Sequence, residues 1–288
     1  MKTFDCAATL TDTEVLEFCK TGILVLEGVI PEETNQRVRD YYGDGDAIPQ
    51  KTSNILHESW FIDNVVLNPQ VTGTVRSLLG KDFVLPNQLA VHRNKAPKIG
   101  QRWHRDGNQP RFSAELSQLQ VMYVPQDVSP DMGPTEILPG SHFLFSDAWQ
   151  MGHYGGIKGS YKSILPAGSV YMHAYGIWHR GTESRGTGYR DMLKYSYWRT
   201  STPQRDWVTE PDFDVAMADY GLDGSVPTFR RQFKECQDAA EMFYWMMGRA
   251  EEFSFKGGHC WPIQPAKKMF IDKSYWAPGE KYETERVN

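Results

Sequence analysis

Cysteine is scarce and scattered. The four cysteines, Cys6, Cys19, Cys236 and Cys260, show no CxxC spacing. That excludes a zinc knot and a disulfide frame, and it is the usage expected of reduced thiols in a cytoplasmic protein. Long apolar runs are missing too: none approaches the roughly 18 residues a membrane span needs. The first residues, "MKTFDCAATLTDTEVLEF", carry acids early and have no continuous apolar stretch, so no signal peptide is expected. Basic charge is not in excess. Lys and Arg number 31 against 36 Asp and Glu, a net charge of -5, which argues against a nucleic-acid backbone as partner. No Asn-x-Ser/Thr acceptor, internal repeat or low-complexity tract occurs.

What is present is an ordinary globular composition, 40% hydrophobic and 23% charged, over 288 residues. That length suits one domain, 1–288, able to bury most of its apolar surface. Aromatics reach 13%, with nine tryptophans, enough to line a pocket for an organic small molecule.

Three textures follow one another. The region 11–80 carries helices. Thr11 and Glu14 have the spacing of a capping box ahead of Val15, Leu16 and Phe18, "PEETNQRVRDYY" opens with Pro and acids, and "NPQVTGTVRSLLG" stops near Gly80. "GILVLEGVI" between them is a strand, and 43–66 is expected to be irregular. From about 83 to 200 the chain breaks into short β-forming segments separated by Gly, Pro, Asn and Asp. That pattern predicts a mainly β fold with flanking helices, its core a sandwich or closed roll. Beyond 204 lies a helical extension. Phe229, Phe233, Cys236, Ala240, Phe243 and Met247 share one helical face, expected to pack on the barrel, with a homodimer contact as the other use. The tail, 254–288, is expected to wrap the body or fray.

The chemistry centres on "WHRD". Residues two apart on a strand share a face, so His104 and Asp106 aim at one point while Arg105 points away. Such a pair needs a third ligand from elsewhere. Of the eight histidines, His179 at the end of "GSVYMHAYGIWH" is the best candidate, far enough along to return on a facing strand. Two imidazoles and one carboxylate on one face hold non-haem Fe(II) and leave three coordination positions open. Arg190 follows His179 across a glycine-rich turn. On position alone it is expected to face solvent; on the interior, its guanidinium can clamp a carboxylate.

"WHRD", "DVSPDMGPTEILPGSH" and "AGSVYMHAYGIWHRGTESRGTGYR" together resemble the phytanoyl-CoA dioxygenase (PhyH) family of Fe(II)/2-oxoglutarate oxygenases, over roughly residues 20–200. The resemblance rests on His104, Asp106, the block Pro139–His142, His179 and Arg190. It implies a double-stranded β-helix (jelly-roll, cupin-like) core, iron held by His104, Asp106 and His179, 2-oxoglutarate on the iron and on Arg190, and O2 as oxidant. It turns Arg190 inward and places His142 outside the iron shell. Relatives that halogenate lack the carboxylate ligand, and Asp106 is present here. His173, an even offset of six residues before His179, is a second-sphere group, a rival ligand or a core histidine, and His92 has the same alternatives.

The expected reaction is oxidation of an unactivated C–H bond by hydroxylation, desaturation or cyclisation. Asn94 and Gln101 are candidate co-substrate contacts, and Trp103, Phe112, Tyr123 and Trp178 are candidate substrate contacts. The basic segment "HRNKAPKIGQRWHR" can attract an anion, even a CoA ester, but the acidic chain favours a free secondary metabolite or amino-acid derivative. An acyl-CoA hydroxylase, a zinc or manganese isomerase or hydrolase on the same ligands, and a non-catalytic binding roll are the alternatives.

Overall fold

The structure is a computed structural model that describes residues 2–43, 49–106, 114–144, 151, 153–220 and 229–253, with side chains from 238 onward in the last stretch. Phe112, the tail 254–288 and the side chains of Phe229, Phe233 and Cys236 lie outside the described residues.

In chain order the elements are β1 (Thr3–Phe4), α1 (Asp12–Thr21), β2 (Ile23–Leu26), α2 (Glu32–Tyr42), α3 (Ser59–Phe61), α4 (Pro69–Leu79), β3 (Phe83–Val84), β4 (Leu89–Val91), β5 (Asn94–Lys95), β6 (Gln118–Val124), β7 (Thr135–Ile137), β8 (Tyr161–Lys162), β9 (Ser169–Ala174), β10 (His179–Gly181), β11 (Tyr189–Arg190), β12 (Leu193–Trp198) and α5 (Phe229–Met246). The capping box forms as its spacing demands: the Thr11 amide donates to Glu14 at 2.8 Å and the Glu14 amide to the Thr11 hydroxyl at 3.3 Å. Asn68 caps α4, with Pro69 in the first turn. The stretch expected to be irregular is partly ordered. Short helical turns run through 52–57 and 59–66, pinned by buried Ile55, Phe61, Val65 and Val66. Elements that short have too little period to be read from sequence.

The large sheet has the order β1-β3-β12-β6-β9-β2, with β4 also paired to β12. Against it stand a three-stranded sheet, β10-β7-β8, and the pair β11-β5. This is a jelly-roll core with helices outside it. Two faces of the large sheet do different work. On one, Leu119, Val121 and Tyr123 of β6, Val170, Met172 and Ala174 of β9, and Leu193, Tyr195 and Tyr197 of β12 join the main core with α1, α4 and α5. On the other, Met122, Val124, Tyr171 and Met192 pack inside the roll with Ile137, Leu165 and Ile177. The alternation is the period of two of a β-strand.

Helix α5 was expected to pack on the barrel. It packs against α1, with the Cys19 thiol 3.6 Å from the Met246 sulfur, and its Met242, Phe243 and Met246 join the core on the helix-facing side of the large sheet. Phe243 sits 5.7 Å, ring to ring, from both Trp207 and Phe213. The amphipathic pattern gives a buried face but not its partner. Among the described residues Cys6 and Cys19 are free thiols, and no helix is long and apolar enough to cross a membrane.

Candidate metal centre

Backbone pairing sets the geometry of the centre. His104 lies on an isolated bridge to His179 at the start of β10, where their amides and carbonyls exchange hydrogen bonds of 3.0 and 2.9 Å. Asp106 follows in a bend, so the strand expected through "WHRD" shrinks to a single rung. The two imidazole rings stand 4.5 Å apart. Ligand atoms of His104, Asp106 and His179 lie within 4.8 Å of one another.

Each ring is oriented by a carbonyl, which can only accept. His104 Nδ1 donates to Arg102 O at 2.9 Å and His179 Nδ1 to Ile177 O at 3.1 Å. Both rings therefore keep an Nε2 lone pair for a metal. Burial, and after it the neighbouring His173 and His104 rings, push the His179 imidazole down to about 3, so it is a neutral ligand at any ordinary pH. Burial alone would raise the Asp106 carboxyl. The Lys194 hydrogen bond, the nearby His179 and Lys194, and a Gln120 hydrogen bond outweigh it and hold the group below the usual carboxylate range. Two imidazoles and a carboxylate facing one point are the donor set for a facial Fe(II) site.

Arg190 is the fourth expected residue. It does not face solvent: it is 4% exposed and lines the same cavity as His104 and His179, of about 190 Å³. Its Nη2 donates to Gly133 O at 2.8 Å, while Nε and Nη1 are buried without a partner. Burial pulls its pKa down, with Tyr171 and Asp191 pulling the other way. Gly133 has to be glycine. Its φ is +69°, and a Cβ there would sit 2.4 Å from Asn94 Nδ2. A buried guanidinium with unspent donors beside an open metal face fits a carboxylate of a chelating oxo acid.

Asn94 and Gln101 both line the cavity. Asn94 pairs with Arg190 across β5 and β11 and donates to Met132 O at 3.3 Å, and Gln101 accepts from the Gly181 amide at 2.9 Å. The aromatic candidates are elsewhere. Trp103 and Trp178 form a buried cluster with Met151, where Trp103 Nε1 donates to Gly155 O at 2.7 Å. Tyr123 faces the helices, and its hydroxyl donates to Asn35 Oδ1 at 2.7 Å. None of the three is among the residues lining the cavity: strand alternation turns Tyr123 away while its neighbour Met122 lines it. His142 reaches Cys19 O at 3.1 Å and is not among the residues lining the cavity. Ser141, in the same block, accepts from the Trp178 amide at 2.9 Å and so holds the strand just ahead of His179. His173 is fully buried, its ring 5.5 Å from His179, and His92 lines the cavity.

Lys194 and Gln120 carried no signal as site residues. Lys194 Nζ lies 2.9 Å from Asp106 Oδ2. A lysine on a strand ordinarily points to water. Only its even offset from Arg190 in "YRDMLKYSYW" hinted that it shares the inner face.

A jelly roll with a facial His–Asp–His triad and a buried arginine beside it is the architecture of a metal-dependent oxygenase. Residues 30–192, more than half of the chain, match the family model described as phytanoyl-CoA dioxygenase (PhyH). The chain belongs to that family and is a non-haem, iron- and 2-oxoglutarate-dependent enzyme. Solved structures similar in fold include HygX from Streptomyces hygroscopicus with nickel and 2-oxoglutarate bound, at 16% identity and a TM-score of 0.53 over 69% of this chain and 90% of that one. They also include EctD from S. alaskensis with 2-oxoglutarate and 5-hydroxyectoine, at 16% identity and a TM-score of 0.51 over 69% and 79%. No curated protein matches the sequence.

Proposed function

We propose that the enzyme oxidises an unactivated C–H bond of a free small organic molecule, a secondary metabolite or amino-acid derivative, with hydroxylation as the basic outcome. His104, Asp106 and His179 would hold Fe(II). Bound there with 2-oxoglutarate, iron supplies O2 activation coupled to loss of CO2 and formation of succinate. The protein's own part is orientation. Arg190 takes the far carboxylate of 2-oxoglutarate through Nε and Nη1, with Asn94 and Gln101 beside it. Met122 and Met192 give the cavity apolar wall, against which a substrate carbon can rest in a dry environment.

The observation that carries this reading is the buried Arg190 with two unspent donors. A hydrolase or isomerase on the same ligands has no use for a desolvated cation there, and a binding roll no use for the open metal face. Cys6 and Cys19 as free thiols support a reducing, cytoplasmic setting. The test is aerobic incubation with Fe(II), 2-oxoglutarate and ascorbate against metabolite extracts, read by mass spectrometry. Succinate and a product heavier by one oxygen, or lighter by two hydrogens, are expected. Tight zinc binding with no oxo-acid-dependent mass change would replace the oxygenase reading with the hydrolase one.

A further inference from the structure

Arg190, Met192 and Lys194 alternate inward along one extended stretch and all three line the cavity. The outer two are cations, about 13 Å apart at Cα by strand geometry, with a methionine between them. Lys194 Nζ touches Asp106 Oδ2 at 2.9 Å. That is the oxygen facing the imidazoles, 3.6 Å from His179 Nε2. An ammonium has three donors, and Asp106 is its one side-chain partner among the described residues. Its side chain is part-open, at 19% exposure.

A lysine there is an odd choice if its task is only to orient Asp106. A neutral donor would do that without repelling the divalent ion that the same carboxylate must hold. The charge inventory points the same way. Arg93, the other arginine of the wall, is taken by Asp191 in two hydrogen bonds of 2.8 and 2.6 Å. Arg190 and Lys194, with Lys98 also on the wall, then stand against Asp106. Adding a divalent metal and a doubly charged 2-oxoglutarate leaves an excess of positive charge, which a further carboxylate would reduce.

We propose that Lys194 is a second carboxylate-binding residue of the cavity, separate from Arg190, using the donors that Asp106 leaves free. The proposal rests on the oxygenase reading above. The carboxylate comes from one of two sources: the metal-side end of the oxo acid, or the substrate itself.

The test uses full-length protein loaded with nickel, as wild type, Lys194→Met, Lys194→Arg and Arg190→Met, with nickel stoichiometry checked in each. Calorimetry measures 2-oxoglutarate and 2-oxopentanoate, which lacks the far carboxylate. Thermal shift then compares hexanoate with hexanamide, and phenylacetate with phenylacetamide, with and without 2-oxoglutarate. If Lys194 takes the metal-side carboxylate, Lys194→Met weakens both oxo acids by about tenfold or more, while Arg190→Met weakens only 2-oxoglutarate. If Lys194 takes the substrate's, the oxo acids are unmoved and a preference for acid over amide disappears in Lys194→Met. Lys194→Arg restores most of either effect. The proposal fails if neither oxo-acid affinity nor acid preference moves. It fails equally if losses merely track lost nickel and arginine does not restore them. A wild type that binds nickel but no 2-oxoglutarate would sink the oxygenase reading at the first step, and the acid–amide comparison would still decide Lys194.

Discussion

The two faces of β6 and β12 are built from alternate residues of the same segments, yet they obey opposite rules. Toward the helices, Leu119, Val121, Leu193 and Tyr197 are fully buried among other apolar groups. Toward the roll interior, Gln120, Met122, Met192 and Lys194 surround the metal ligands, and buried polar atoms there lack partners: Gln120 Oε1, His173 Nε2, and Nε and Nη1 of Arg190. Unpaired buried polar groups are costly. The outer face supplies the packing that lets the inner face keep them unspent for ligands.

The contrast can be broken first at the ligands. Asp106→Ala or His104→Ala should abolish metal binding, read as metal content after gel filtration, and turnover with it. The fold should survive, because neither side chain belongs to the apolar core. The opposite change, Leu119→Ala, should cost roughly 2–5 kcal/mol of stability in denaturant melts yet leave nickel and 2-oxoglutarate affinity where it was. A large affinity loss from Leu119→Ala would show that the faces are not separable.

Arg190→Met should sharpen the comparison by moving the two properties in opposite directions. Affinity for 2-oxoglutarate should fall by about a hundredfold, since two charge-assisted hydrogen bonds are lost. The melting temperature should rise by a few degrees, because a desolvated cation with idle donors is removed. Unchanged co-substrate affinity would move the anchor to another arginine.

Acid should act mainly through the interior. Burial first, and the neighbouring His173 and His104 rings after it, push His179 down to about 3, and burial pushes His173 down to about 4, despite its Ala174 carbonyl and Asp106. An unfolded imidazole titrates near 6.5. As pH drops below that value the unfolded chain takes up protons that the folded chain refuses, so stability falls, by about 1.4 kcal/mol per pH unit for each ring. Metal-free protein should therefore melt at a steadily lower temperature between pH 6.5 and 4.5. A flat profile would mean that these rings are charged in the folded state.

Much of the site was legible because its chemistry constrains residue type. Only a few side chains ligate iron, and their order along "WHRD", "GIWH" and "GYR" survives in one dimension. The inward turn of Arg190 came from the resemblance, since a strand arginine by itself favours water. What stayed hidden were choices between equivalents. Alternation says that Met122 and Tyr123 face opposite ways, but not which one faces the cavity, because both are apolar enough for either side. Trp103 and Trp178 flank ligands in sequence and pack away from the cavity in space, since residues adjacent on an extended chain point apart. Lys194 was hidden by its ordinary habit of seeking solvent, and the partner of α5 by a helical face that suits any apolar surface.

The rung joining His104 to His179 ties two ring nitrogens to one pair of peptide groups. Loading with metal and holding that rung closed are accordingly linked equilibria. Any ion that binds the closed form protects both amides, so deuterium uptake at 104 and 179 should slow together, and in proportion to metal affinity. The ion then serves as a rivet at the mouth of the roll as well as the seat of its reactivity.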